Sequence, residues 1–503
     1  MLLPQTSKLL LLYQGSQYNF RTAKKEQFTT RMGFILASLG MAMGTGNIWR
    51  FPRVAGSEGG GALVITWMIA LLVWSFPLLM AEMVLGRHTR KGVVATFSEV
   101  LGRKNGWVGG FVALVSTAIA LYYAVVTGWC LRYLLMSIWP GFSGLNALNA
   151  QVIWDGFVGT PWAIVFQAIS LGLVLVVVAR GIARGIELAN TIMMPALFII
   201  LVILAITVLT FPGASKGLVY LFSIKKEFLL SPKTWLAGFT QSAWSIGAGW
   251  GLLLTYAVYT KEKEDIALNS LVIGLSDNIA SLVAGMAIIP TVFVFLSQAE
   301  AMGVLASGNE GLSFVWLPVL LTRLPLGNIL AILFFLGLFL AAVASLISLV
   351  ELPVRVVMDW GVSRPKATWL VGGIMFLLGI PSALSVDLFK NQDWVWGLGL
   401  LLSGVFFVLA SLKYGIKRMS ERINEVSDFP VPAWFLWVFL VGAVPVSFVI
   451  LMGWWFWQSL SWGEVWWNPF GKFTIGTALA QWLIAGLILW VINRVVSKGS
   501  KSR

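Results

Sequence analysis

The 503-residue chain is poor in charge: Asp, Glu, Lys and Arg together make 11% of it. Soluble domains carry roughly 25%, and a chain this long needs a polar skin that 11% cannot provide. A soluble enzyme, a disordered chain and a nucleic-acid-binding module are excluded on composition. Cysteine occurs once, Cys130, so no internal disulfide or multi-cysteine metal site can form. Histidine occurs once, His88, which removes the two-histidine zinc motifs.

Apolar residues are what the chain has: 58% are hydrophobic and the mean hydropathy is +0.86. A membrane-crossing helix needs about 20 apolar residues. Twelve such stretches are expected, near 32–55, 61–86, 107–139, 161–180, 187–211, 235–259, 266–296, 327–357, 367–384, 395–414, 431–457 and 474–497. Their length and uniformity fit helices rather than barrel strands. The run LLLLY at 9–13 lacks a small-residue cleavage site behind it, so residues 1–30 read as a cytoplasmic tail.

The net charge of +14 has an orientation. With twelve spans and both termini inside, RTAKK (21–25), GRHTRK (86–91) and KYGIKR (413–418) all fall inside, while 140–160 outside holds no Lys or Arg. That is the positive-inside pattern, broken only by four lysines in 212–234. The basic excess sets topology and does not call for nucleic acid. Short outer loops without an N-x-S/T sequon fit a plasma membrane of bacterial inner-membrane type.

Two stretches contain helix breakers. LGMAMGTGNIWRFP (39–52) holds Gly40, Gly44 and Gly46, then Asn47. QSAWSIGAGWG (241–251) holds Gly247, Gly249 and Gly251. Each glycine costs a helix about 1 kcal/mol against alanine. Small residues also serve close helix packing. Two clusters five spans apart, however, are the pattern of paired interrupted helices at a transport site, where freed carbonyls ligate cations and helix N-termini favour anions.

The chain resembles the neurotransmitter:sodium symporter family, particularly its bacterial amino-acid transporters. The resemblance rests on RMGFILASLGMAMGTGNIWRFP (31–52), SEGGGA (57–62), ALYYAVVTGW (120–129), QSAW…GAGWG (241–251) and the spacing of Gly185 and Pro195, over roughly the first ten spans. It implies an all-α, twelve-helix membrane protein with a 5+5 inverted repeat of the LeuT type and broken helices 1 and 6. The repeats would be 31–211 and 233–420, followed by helices 11 and 12 (430–497) and a cytoplasmic tail (498–503).

The same resemblance implies a first sodium site at Ala42, Asn47, Ser245 and Asp277, completed by a substrate carboxylate. A second would use Gly40, Met43, Ala341 and Ser345. Position 344 is Ala where the family has a hydroxyl, which leaves the sodium count at one or two. Trp67 stands where chloride-dependent relatives carry a tyrosine, beside Ser281, and Asp277 can supply chloride's charge, so no chloride is expected. A substrate pocket would be lined by Ala42, Gly44, Thr45, Gly46, Ile119, Tyr123, Trp244, Ser245, Gly247, Trp250, Ser345 and Leu349. Gly44, in place of an amine-pairing Asp, and the apolar lining imply neutral, hydrophobic or aromatic amino acids.

Gates would be Arg50 with Asp393, aided by Gln241, outside, and Lys25 with Asp359 inside. Glu82 would bond freed amides of the broken helices, and Gly185 with Pro195 would let a helix end unwind. The expected activity is sodium-coupled import by alternating access, not catalysis, with proton coupling or exchange as the alternative. The expected partners are the amino acid and the bilayer, with a homodimer as a candidate assembly. The partner of Glu351 is not identifiable from sequence.

Overall fold

The computed structural model describes residues 26–462 and 465–499. Lys25, named above as a gate, lies outside the described residues. Among the described residues no strand forms, and a single antiparallel bridge joins Gly60 and Ile224.

The first elements among the described residues are α1 (Arg31–Ala42), a wide π-turn at Gly46–Arg50, and α2 (Phe51–Ser57). There follow α3 (Gly61–Thr89), α4 (Arg103–Ile138), α5 (Pro161–Ala179) and α6 (Ile182–Leu209). Next come α7 (Pro232–Ser245) and α8 (Leu252–Ala257). The remainder is α9 (Ile266–Phe295), α10 (Gly327–Met358), α11 (Arg364–Leu384), α12 (Val386–Tyr414), α13 (Ala433–Ser459) and α14 (Ile475–Ser497). Among the described residues ten of these, all but α1, α2, α7 and α8, are long and apolar enough to cross a membrane.

Local chemistry sets the ends. Thr30 caps α1 by accepting from the Gly33 amide at 2.9 Å, and Asp265 caps α9 by accepting from the Leu268 amide at 2.9 Å. Ser385 caps α12 by accepting from the Leu388 amide at 3.2 Å. That cap starts α12 at Val386, well before the expected 395, because a hydroxyl acceptor outweighs the polar residues that follow it. The connections 212–234 and 297–326 are likewise not plain short loops. They hold helices Ala214–Phe222, Gln298–Leu305 and Leu317–Thr322, the second started by a Ser297/Glu300 capping box.

Burial sorts the helices into a centre and a rim. The most apolar window of α4 is 78% buried, that of α14 only 22%. Helix α14 leaves Leu483, Ile484 and Leu487 exposed, as a lipid-facing surface does. Helix α1 packs against α6, α9 and α10, α2 packs against α9, and α7 and α8 pack mainly against α3.

Candidate functional site

The two glycine stretches behave differently from each other. In the first, the helix ends after Ala42: Met43 has φ −79° and ψ 81°, and helical geometry resumes at Gly46. Gly40 is not part of that break but lies within α1. In the second, residues 246–251 leave the helix, and Gly247, Gly249 and Gly251 have φ of +71°, +88° and +78°. L-residues with side chains are strained there, so this stretch needs its glycines. Glu82, on α3, receives the amide of Gly249 at 2.7 Å and that of Leu254 at 3.0 Å. These are donors that an intact helix would have used internally, and a fully buried carboxylate satisfies them.

Both breaks open onto one cavity of about 280 Å³, near the lower end of the range of small-molecule pockets. Ala42, Gly44, Thr45, Gly46, Ile119, Tyr123, Trp244, Ser245, Gly247, Trp250, Ser345 and Leu349, the twelve positions expected at a substrate pocket, all line it. The Tyr123 hydroxyl accepts from the Thr45 amide at 3.1 Å. A side chain begun at Gly44 would meet Ser345 Oγ at 2.7 Å and Tyr123 Oη at 2.8 Å, so this wall has no room for an acidic residue. Trp244 and Trp250 pack edge to face, 5.8 Å between centroids, and Leu252, Leu398 and Leu401 extend the apolar lining.

Next to the cavity lies a buried polar cluster. Asn47 Nδ2 donates to Asp277 Oδ1 at 2.6 Å and to Ser281 Oγ at 2.9 Å, and Ser245 Oγ donates to Asp277 Oδ2 at 2.7 Å. The Gly44 amide donates to Asn47 Oδ1 at 3.0 Å, and Ala42 O accepts from the same amide at 2.9 Å. Asp277 is fully buried, and among the described residues no Lys or Arg pairs with it. The carboxylate of Asp277 and the hydroxyls of Ser245 and Ser281 offer hard oxygens suited to a small alkali cation, while Asn47 turns its amide nitrogen towards them.

Of the residues expected at a second ion site, Ser345 and Gly40 are in hydrogen-bond contact. Ser345 Oγ donates to the Gly40 carbonyl at 3.2 Å and the Met41 carbonyl at 3.4 Å. Ala341 and Ala344 are fully buried on the same helix, and Ala344 offers a methyl group. Met43 is buried at the end of α1, with its amide bonded to the Leu39 carbonyl at 2.6 Å.

Of the expected gate residues, Arg50, Gln241, Asp393 and Asp359 lie among the described residues. Arg50 and Asp393 share the cavity wall but form no ion pair. Arg50 instead lies over the Trp244 ring at 5.2 Å, with Nη1 lacking a hydrogen-bond partner among the described residues. Gln241 lines the same cavity without bonding Arg50; neither of its amide atoms has a partner there. Asp359 pairs with Arg355 at 2.8 Å and accepts the Gly92 amide at 2.7 Å. Its carboxylate thus joins the end of α10 to the connection after α3.

Sequence reasoning missed the charged cluster at that end. Arg364, the first residue of α11, donates to Glu351 at 2.5 and 2.9 Å and to Glu26 at 2.5 to 2.9 Å. Tyr259 Oη completes it with a bond to Glu351 at 2.7 Å. No sequence signal joins residues 26, 259, 351 and 364. Glu187 was also missed: it binds the Thr29 amide at 2.8 Å and the Thr29 and Thr30 hydroxyls at 2.5 and 3.2 Å. It fastens the start of α1 to α6 two residues beyond Gly185, which sits in a π-turn, while Pro195 lies inside α6.

Residues 25–143 and 157–498 match the model of the sodium:neurotransmitter symporter family. An uncharacterized sodium-dependent transporter of Methanocaldococcus jannaschii is 29% identical over 436 residues, covering 84% of this chain and 88% of the relative. Another, YhdH of Bacillus subtilis, is 28% identical over 447 residues, covering 85% and 97%. The crystal structure of MhsT in complex with L-phenylalanine is similar at a TM-score of 0.76 and 30% identity, over 85% of this chain and 99% of that one. The family match, together with ten membrane-length helices among the described residues, shows that the chain belongs to the sodium:neurotransmitter symporter family and is a multi-pass, sodium-dependent transporter.

Proposed function

We propose that this chain is a symporter that imports neutral, hydrophobic or aromatic amino acids with sodium by alternating access, without chloride. In this reading α1/α2 and α7/α8 are the first and sixth of twelve spans in two inverted five-span repeats, with both termini cytoplasmic. The observation that carries it is the juxtaposition of two helix breaks, an amino-acid-sized cavity and the Asp277–Asn47–Ser245 cluster. The likeness to a transporter seen with L-phenylalanine supports the substrate class.

The residues divide the work. The Thr45 amide and the Tyr123 hydroxyl face the place of an α-carboxylate. Main-chain carbonyls at Ala42, Trp244 and Ser245 are acceptors for an α-ammonium, and Trp244, Trp250 and Leu349 enclose an apolar side chain. The substrate carboxylate would complete the cation's shell beside Asp277, so each ligand raises the other's affinity by the same factor. An inward-negative potential adds about 2.3 kcal/mol per 100 mV for each net positive charge carried across. Asp277 carries the negative charge that chloride would otherwise bring, while Trp67 is fully buried against Phe51 with ring centroids 4.6 Å apart.

The test is phenylalanine uptake into proteoliposomes. Uptake should collapse when the inward sodium gradient is removed and stay unchanged when gluconate replaces chloride. Uptake indifferent to sodium but driven by an inward proton gradient would favour the second reading, proton coupling, which Ala344 and the buried acid Asp277 motivate.

A further inference from the structure

At the expected second ion site, position 344 is alanine and offers no side-chain oxygen. Asn190, on α6, is placed to supply one. It is fully buried, and its Nδ2 donates to the Ile186 carbonyl at 2.8 Å. Only the amide nitrogen can make that bond, so the orientation of the side chain is fixed and Oδ1 is turned away from its own helix. Oδ1 has no donor among the described residues.

Its direction is set by Gly40. A side chain begun at Gly40 would first meet Asn190 Oδ1, then Asn190 Cγ at 2.9 Å and Ala344 Cβ at 3.3 Å. The unpartnered oxygen of α6, the methyl of Ala344 and α1 at Gly40 therefore converge on one spot. The Gly40 carbonyl already receives Ser345 Oγ at 3.2 Å. Glycine at 40 is what lets the amide approach α1 so closely, which explains a glycine that lies inside a helix rather than at its break. A buried amide oxygen without a donor, aimed at the Gly40–Ala344 spot, has a lone pair free for a cation.

We propose that Asn190 Oδ1 is a ligand of the second sodium ion, taking the place of the hydroxyl that Ala344 lacks. The assignment rests on the sodium-coupled reading above. It ties the ion to α6, and so to Glu187, which fastens the start of α1 one helical turn away. Binding and release of this ion would then bear on the contact between α1 and α6.

The experiment measures sodium binding directly, with radioactive sodium and purified full-length protein, alongside thermal unfolding across a sodium titration. Asn190→Ala should raise the sodium concentration for half-maximal binding by about tenfold, the effect of one oxygen contact to a charge. Phenylalanine binding at saturating sodium should remain, which shows that the variant is folded. Asn190→Asp, which keeps an oxygen, should bind sodium at least as well as the parent. Asn190→Ala combined with Ala344→Ser should recover affinity. A folded Asn190→Ala protein with unchanged sodium dependence overturns the assignment while leaving symport intact. A parent protein that binds no sodium overturns the symport reading and this assignment with it.

Discussion

Two arginines lie on opposite sides of the helix break in α1/α2, and the fold treats them in opposite ways. Arg364, near the start of α1, is buried and saturated: Glu351, Glu26 and Tyr259 all take its donors. Arg50, beyond the break, is half-buried, rests on the Trp244 ring and leaves Nη1 unpartnered, although Asp393 shares its cavity wall. One side is held by charge pairing between the start of α1, α10 and α11. The other is covered by an aromatic ring and has an unused charge pair. A guanidinium with all its donors engaged is an anchor, whereas one with a donor left over is free to take a new partner, and in the proposed transport cycle Arg50 would close on Asp393.

The sharpest way to break this contrast is to remove the anchor. Arg364→Ala leaves Glu351 fully buried without its cation. Stability should fall by about 3–5 kcal/mol, read as a lowered thermal midpoint in detergent, and Arg364→Ala with Glu351→Gln should recover part of it. Arg50→Ala should lower stability by only ~0.5–1 kcal/mol, the worth of a partly exposed cation–π contact. Its main effect should be faster release of bound amino acid, measured by dilution of radiolabelled phenylalanine. An equal fall in stability for both variants would erase the contrast. The smallest effect is expected for Glu26→Gln: Glu26 is 34% exposed, solvent screens its charge, and an amide oxygen still accepts from Arg364. That change should cost about 0.5 kcal/mol or less, and a larger loss would show that Glu26, rather than Glu351, is the chief partner.

The parts of the site that were legible in the sequence are those carried by contiguous residues. Gly44 to Asn47 and Trp244 to Trp250 announce themselves because breakers and polar groups are out of place in an apolar stretch. Asn47, Ser245 and Asp277 were expected together and lie within hydrogen-bond reach. The charge pairs were harder. Asp393 shares its helix with Asp387 and that helix starts earlier than expected, while Asp359 bonds Arg355 one turn earlier and its expected partner Lys25 lies outside the described residues. Glycine at 40 was read as a breaker, whereas it stays helical and lets Asn190 in.

Composition by itself determined that this chain lives in a bilayer, because 11% charge cannot clothe a soluble body of 503 residues. It also located two weak points in the helices, since glycine's cost is local and additive along the chain. Only the tertiary structure decided which buried charges meet. Arg364, Glu351, Glu26 and Tyr259 come from four separate segments, as do Asn190, Gly40 and Ala344 from three. Pairing in a low-dielectric interior is settled by the distance between side chains after the helices pack, and no spacing along the chain encodes that distance.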